Sequence, residues 1–560
     1  MMEMRVPATM NEPAGQRVQA GKVLVSMLEA NGVDRVFCVP GESYLPIFDA
    51  LYDSGIDVVV AHLEGSAGFM AIADTKLTGR IGACFVSRGP GATNASIAVH
   101  TAEQDAVPFL LFIGQVEVKN LRRGSFQEID YGKMFGDVAK WVAEVSDPER
   151  LAEVMARAIQ TAMSGTPGPV VIVLPEDTLA QEIALPAIRT SRRPYTAPSR
   201  EAVSEALNLL EGARRPLVIA GGELGTEEGR RALAAFAKAF ELPVAVSFRR
   251  HDVFDNTDRH FAGELGVQNS DEQIAALKEA DLIVAVGTRL GDLTTHGYTF
   301  PETPWPARKL IHVYDDHAVI GAHFRADVGV ACDSAAFLRE LTAAAGGEGS
   351  RERREWVDRL HAFRVGIAAW KQRTAPDGVV FGNVVTALSE RLDQDAIVTL
   401  DAGISAALLY KHFPVRPPQR LIPTIAGVMG SGVPGAVAAA LRHPDRQVVC
   451  VLGDGDFLMT GNELALAVER KLPIKIILSN NRSYGSIRVQ QEREYPGRNI
   501  GTDLSTPDFA ALARAFGCDA LVVNREEEVG PVLDAALASS GPVLVEVKAS
   551  LSAVLPPPRA

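Results

Sequence analysis

Short runs rich in Val and Ile, apolar on both faces rather than at alternate positions, recur along the chain and are separated by segments of helical period. GIDVVVAHL, GRIGACFVS, RRPLVIAGG, ADLIVAVGT and RQVVCVLGDG are runs of the first kind, and EEGRRALAAFAKAF is one of the second. A strand that is apolar on both faces must be covered on both, and helices between successive strands supply that cover in parallel sheets. Two polar stretches interrupt the alternation. Leu185 to Ala202 is rich in Pro, Arg and Ser, and Ala343 to Trp356 is a run of Gly and charge; both read as linkers. The pattern therefore predicts an α/β protein of three doubly wound parallel-sheet domains, spanning 18–185, 200–342 and 356–550. No sequence repeat relates the three blocks, so their likeness is one of topology. The Pro-rich tail LPPPRA is expected to lie extended.

Composition agrees with several cores rather than one: 560 residues at 47% hydrophobic content exceed what a single core holds and suggest three or four domains. A net charge of −13 argues against nucleic acid or an anionic membrane as partner, because both are held by clustered Lys and Arg. The five cysteines, Cys38, Cys84, Cys332, Cys450 and Cys518, are odd in number, far apart and mostly inside apolar runs. They read as core residues in a reducing compartment, not as a disulfide framework or zinc site. The opening MMEMRVPATMNEPAGQRVQAG carries no apolar signal core, and no apolar run reaches membrane-span length, so a cytoplasmic location is expected.

The stretch VVCVLGDGDFLMTGNELALAVERKLPIKIILSNN, Val448 to Asn481, changes the picture from fold to chemistry. Its pattern predicts a strand over Gln447–Leu452, a helix over Asn462–Lys471 and a second strand over Ile474–Ser479. Such a unit is right-handed and parallel, which brings Asp454 and Asn481 side by side at one sheet edge. Each alone reads as ordinary turn chemistry; their pairing points to a site. Two hard oxygen donors with one charge between them suit Mg²⁺ or Ca²⁺ that still needs ligands, and a diphosphate would complete the shell. Gly453 and Gly455 allow close backbone approach, and the following helix offers N–H groups. Other phosphate motifs fail: GxxxxGK[ST] is absent, and Met459 stands where a calcium loop requires Gly.

Gly453-Asp-Gly followed by Asn480-Asn481 resembles the thiamine diphosphate motif. VFCVPGESYLPIFDAL, LEGSAGFMAIADTKLTGRIGACFVSRGPGATNA, PFLLFIGQV, SFQEID, GTPGPVVIVLPED and IAGVMGSGVPGAVAA extend the likeness over Gly21 to Ser550. The chain is similar to the acetolactate synthase large subunit and its relatives. The resemblance implies an N-terminal pyrimidine-binding domain, a central α/β domain and a C-terminal diphosphate-binding domain. It assigns Asp454, Asn481 and the Ser483 carbonyl to Mg²⁺, and Glu64 to the cofactor's aminopyrimidine, where a carboxylate favours the imino tautomer. Without the resemblance, Glu64 reads as a dipole-favoured helix start. Gly403, Gly427, Met429, Gly453, Gly455, Asp456 and Gly485 complete the implied cofactor contacts, with the Asp456 carboxylate directed away from the diphosphate and Met429 propping the bent cofactor. Gly89, Pro90, Gly91 and Asn94 match a tight turn near the pyrimidine. Gln115, Phe126 and Gln127 match positions on the reaction side, Gln127 as a catalytic residue, and Leu63 replaces the family's usual His.

By the same resemblance the cofactor adds to a 2-oxo acid and accepts the electrons released with CO₂, after which the product is protonated to an aldehyde or joined to a second carbonyl. The family's acceptor-binding Arg and Trp correspond here to Leu293 and Gln490, with Arg488 nearby as a substitute or as a solvated surface residue. Flavin-associated positions are altered as well. Glu176 replaces a Lys, Gly266–Asn269 reads GVQN, and GGELG at Gly221 is too short to restore a dinucleotide site, so FAD is not expected. Glu42, where the synthases carry a small residue, is a second proton shuttle or an exposed loop carboxylate. The leading expectation is thus a thiamine diphosphate- and Mg²⁺-dependent carboligase on a 2-oxo acid. Its alternatives are a simple 2-oxo acid decarboxylase, a C–C lyase of the benzaldehyde lyase or 2-hydroxyacyl-CoA lyase type, and a non-catalytic relative that keeps the fold. A homodimer or homotetramer is expected, with active sites at the subunit interface.

Overall fold

The computed structural model describes residues 17–267, 269–346 and 349–556. The segment before Arg17, Gln268 of the GVQN pattern, Gly347 and Glu348 of the second expected linker, and the tail from Pro557 lie outside the described residues. Two compact units divide the chain. One takes the residues through Ala71, Arg80–Met163 and Pro167–Arg193; the other takes Ile72–Gly79, Ser164–Thr166 and everything from Pro194 onward.

The first unit holds a six-stranded, wholly parallel sheet in the spatial order Asp57–Val60, Arg35–Cys38, Gly82–Ser87, Phe109–Gln115, Pro169–Pro175, Trp141–Glu144. Every residue of FLLFIGQ and of PVVIVLP is buried, as the two-faced apolar pattern requires. A short antiparallel pairing of Arg17–Gln19 with Glu182–Ala184 ties the ends of this segment.

The second unit contains two further six-stranded parallel sheets. The middle sheet runs Phe261–Glu264, Val244–Val246, Pro216–Ala220, Leu282–Val286, Lys309–Tyr314, Val328–Ala331. Both of its faces are covered: Val218 and Ala220 pack with Phe236 on one side, while Leu217 and Ile219 pack with Trp356 and Leu360 on the other. The last sheet runs Arg420–Ile422, Ile397–Leu400, Val448–Gly453, Lys475–Asn480, Val543–Lys548, Asp519–Val523. In it the connections leave in opposite directions from Ile397–Leu400 and Val448–Gly453, which opens a crevice at their carboxyl ends, the place where α/β sheets bind ligands.

Two expectations need correction. The charged run taken as part of a linker is helical from Arg351 to Ala368, with the Ser350 side chain capping the Arg353 N–H at 3.2 Å. Arg353 points inward and donates to the carbonyls of Ala213 (2.9 Å) and Phe240 (3.2 Å), and the Trp356 Nε1–H donates to Pro216 O at 2.9 Å. This helix packs through Trp356 and Leu360 against the middle sheet. Likewise, the expected helix over Asn462–Lys471 is two short helices, Asp454–Thr460 and Leu464–Glu469, joined by the turn Gly461–Glu463; the first starts at once after Gly453. All five cysteines are free and buried. No helix among the described residues is long and apolar enough to cross a membrane.

Candidate active site

Strands Val448–Gly453 and Lys475–Asn480 are parallel neighbours, so Asp454 and Asn481 follow them at the same edge. Asp454 is buried; its Oδ1 accepts the Gly455 N–H at 2.8 Å and its Oδ2 the Arg482 N–H at 2.6 Å. Burial pushes this carboxyl up to about 6, above the ordinary carboxylate range, even against those hydrogen bonds. The two asparagines divide their work. Asn480 turns inward to the buried Glu546 at 2.6 Å, whereas the half-buried Asn481 holds the next turn through Oδ1 and the Ser483 N–H at 3.0 Å. Ser483 is buried, with its carbonyl accepting from Gly485 N–H at 2.7 Å. A Cβ on Gly485 would come within 2.9 Å of Asn481 Nδ2, so a larger residue there would push the carboxamide aside.

Gly455 is equally constrained. A Cβ there would meet Tyr484 Cε1 at 2.8 Å and Met429 Cε at 3.2 Å, so Met429 packs against the Gly-Asp-Gly turn. Asp456 folds back, accepting the Gly453 N–H at 2.9 Å from three residues on. Burial and the neighbouring Asp401 raise its pKa well above the ordinary range. Asp401, which the sequence did not single out, ends strand Ile397–Leu400; it accepts from Ser431 N–H at 2.6 Å, and its Oδ2 has no partner. Ser405 Oγ and Thr424 Oγ1 are also buried without partners. Gly403, at φ +88°, faces open space apart from Asp456 Oδ2 at 4.0 Å. Orphaned polar atoms, a Gly-lined cradle and an incomplete oxygen shell at a crevice fit a diphosphate with a divalent cation. Among the described residues there is no cluster of three or more His, Cys, Asp or Glu that could hold a metal.

Beside this edge lies a cavity of about 580 Å³. Gln490 lines it, as do Gly403, Tyr410 and, from the middle sheet, Arg249 and Glu264. Arg488, the expected substitute cation, is instead committed to Glu492 at 3.3 Å and Asp503 at 3.1 Å. Arg249 and Glu264 were not anticipated. The Arg249 backbone N–H donates to Glu264 Oε1 at 2.8 Å, and its Nη1 donates to Thr424 O at 2.6 Å. Burial pushes Glu264 up to about 7 despite Arg249.

In the first unit, Glu64 opens the helix Glu64–Thr78, and Asn94 Nδ2 donates to its Oε2 at 2.9 Å. A Cβ on Gly91 would lie 3.4 Å from Glu64 Oε1. The expected tight turn at Gly89 to Asn94 is in fact the first two turns of the helix Arg88–Asp105. The Gly89 N–H donates to Gln127 O at 2.9 Å, and Gln127 itself has φ +63°. Phe126 is exposed. Gln115 does not face a ligand: it is fully buried, with Nε2 on Ile129 O at 3.2 Å and Oε1 accepting from Val116 N–H at 3.0 Å, so it braces the 126–129 loop. Glu42 is an exposed carboxylate 3.7 Å from Arg88 Nη1, while Arg88 Nη2 bonds Glu176 at 2.9 Å. Glu176 thus has a cation of its own, a pairing invisible without the fold.

Three family descriptions match the chain in order. They are the thiamine pyrophosphate enzyme N-terminal TPP binding domain over 18–134, its central domain over 203–341 and its C-terminal TPP binding domain over 401–547. Among similar proteins, the acetolactate synthase large subunit of Parasynechococcus marenigrum (strain WH8102) is 32% identical, over 95% of this chain and 88% of its own. The acetolactate synthase isozyme 2 large subunit of Escherichia coli (strain K12) is 32% identical over 94% of each. A putative thiamine pyrophosphate-containing protein of Bacillus subtilis (strain 168) is 32% identical over 94% of this chain and 91% of its own.

Proposed function

The chain belongs to the thiamine pyrophosphate enzyme family, as a thiamine diphosphate-dependent carboligase or decarboxylase, and from that premise we propose that it decarboxylates a 2-oxo acid and joins the remaining acyl carbon to a second carbonyl. The observation that carries this reading is the placement of Asp454 and Asn481 at the ends of adjacent parallel strands, under Gly455 and Met429. When bound, thiamine diphosphate supplies the nucleophilic carbon and the electron sink for loss of CO₂.

The chain's residues do the rest. Asp454, Asn481 and the Ser483 carbonyl hold Mg²⁺, which neutralises the diphosphate in a chain of net charge −13. Gly403, Gly427, Gly453, Gly455 and Gly485 keep the approach clear of side chains, and Asp456 secures the turn through the Gly453 N–H. Glu64, held by Asn94, would keep a proton at the pyrimidine ring, and Gln127 and Glu42 would face the reacting carbonyl. In the family arrangement this carboxylate and the diphosphate site come from different copies, so the active form is a homodimer or homotetramer. The reading involves no FAD.

The test is direct. Purified protein given thiamine diphosphate, Mg²⁺ and pyruvate or a longer 2-oxo acid is expected to release CO₂ and form a 2-hydroxy ketone. Failure to release CO₂ from any of these, together with cleavage of a 2-hydroxy ketone, would transfer the assignment to the C–C lyase alternative. An active monomer by size-exclusion chromatography would contradict the shared site.

A further inference from the structure

Three cations line the cavity beside the Gly-Asp-Gly turn: Lys411 and Arg493 are exposed, and Arg249 is half-buried. Its Nη1 meets the Thr424 carbonyl at 2.6 Å, but its Nε is buried with no partner. The guanidinium carbon lies 4.9 Å from the Phe248 ring and 5.6 Å from the Tyr410 ring, so aromatic faces replace water around it. A Cβ on Gly427 would lie 3.7 Å from Nη1 and 3.8 Å from Nη2; the head of the side chain therefore points at a loop assigned above to the cofactor. The backbone of Arg249 adopts φ +58°, a conformation uncommon for any residue with a Cβ, and the Glu264 carboxylate pins that backbone through its N–H. A half-buried guanidinium with an open edge, lining a cavity, matches a carboxylate better than any neutral group.

The residues at the family's acceptor-binding positions, Leu293 and Gln490, carry no charge, and Arg488 is held by two carboxylates. Gln490 nevertheless lines the same cavity as Arg249. We propose that Arg249 binds the carboxylate of a 2-oxo acid acceptor, so that acceptor recognition in this chain rests on a different residue of the central domain. The inference depends on the reading of the preceding subsection. Pairing with a guanidinium stabilises a carboxylate in place, which opposes its loss as CO₂; Arg249 thus suits the carboxylate that survives, not the one expelled. The reaction balances without an oxidant. The C–CO₂ bond of the donor breaks, the electron pair left behind forms the bond to the acceptor's carbonyl carbon, and the acceptor oxygen takes a proton. The product is a 2-hydroxy-3-oxo acid.

The experiment offers the Mg²⁺- and thiamine diphosphate-loaded protein a 2-oxo acid donor with two competing acceptors, 2-oxobutanoate and propanal, and measures CO₂ and the ratio of acid to neutral product. Wild type is expected to favour the acid product. R249Q is expected to lower that ratio about 10- to 100-fold, in line with the loss of a charge-assisted bond, while CO₂ release and cofactor affinity stay near wild type. R249K, which keeps charge but not the planar fork, should fall between. An unchanged ratio in R249Q, or equal loss of both products with weakened cofactor binding, overturns the inference and makes Arg249 a structural link to Thr424. Absence of CO₂ release from wild type overturns the underlying functional reading instead.

Discussion

Asp454 Oδ2 accepts the Arg482 backbone N–H at 2.6 Å, so the turn after one strand is fastened to the turn after its parallel neighbour before any ion binds. The carboxylate is therefore positioned by the fold and contributes charge without reorganising. D454N can keep the bond from the Arg482 N–H through its amide oxygen but loses the one from the Gly455 N–H, and it is expected to weaken Mg²⁺-dependent cofactor binding by about 10- to 100-fold through loss of a charged ligand. Thermal shift on adding thiamine diphosphate with Mg²⁺ is the measurement: a large shift in wild type, little in D454N, and none in wild type with chelator. An equal shift in the variant would remove Asp454 from the metal site.

Asn94 holds Glu64 by a single hydrogen bond of 2.9 Å at the start of a helix, where the dipole also favours the carboxylate. E64A is expected to lower turnover by about 100- to 10,000-fold, the range for a positioned proton-transfer group, while leaving cofactor affinity measurable. N94A should lose less, because the helix start still orients the acid. Turnover in E64A equal to wild type would remove Glu64 from the proton-transfer role.

How far the sequence could be read depended on the sequence distance between partners. Asp454 and Asn481 were legible because one strand, crossover and strand contain both, and the handedness of that unit fixes their meeting. Arg249 and Glu264 were not, since their cavity exists only where the middle sheet's loops meet the helix Gly403–His412 and residues near Gln490. The three parallel sheets followed from two-faced apolar runs. The helix Arg351–Ala368 did not, because SRERREW reads as solvated charge until Arg353 is seen capping carbonyls of Ala213 and Phe240. Gln115 misled in the opposite sense: a Gln after an apolar strand suggests a ligand contact, but Ile129 O takes one end of its amide and the Val116 N–H the other.

Glu264 gives the cavity a pH dependence near neutrality. Burial lifts its carboxyl to about 7 from an ordinary 4.5, against the Arg249 backbone N–H and the charges of Arg249 and Arg364. His251 lies 3.4 Å away, but burial lowers its pKa to about 3, so it is neutral and forms no ion pair there. Because the folded-state value lies above the unfolded one, unfolded chains release this proton first between about 4.5 and 7, and folding stability declines as pH rises across that window. E264Q should flatten this part of the Tm-against-pH curve. The same proton keeps the surroundings of Arg249 more positive below about 7, so the KM for an acidic acceptor should rise through that pH in wild type and not in E264Q. Identical profiles would dismiss Glu264 as the titrating group.

Arg420 and Asp252 join the last sheet to the middle sheet's loops. Arg420 Nε lies 2.8 Å from Asp252 Oδ2, with both side chains largely buried. Burial disfavours the Asp252 carboxylate, but the adjacent Arg420, with Arg230 and Arg250, more than offsets it and holds the acid below its ordinary range. Removing one partner strands the other in a low-dielectric setting. D252A or R420A alone is therefore expected to destabilise the second unit by about 3–5 kcal/mol, whereas a double replacement by apolar residues of similar volume should recover much of that loss. Urea unfolding of the two single variants and the double variant tests this. If the pair merely bridged at the surface, each single change would cost about 1 kcal/mol or less, and the double variant would show no recovery.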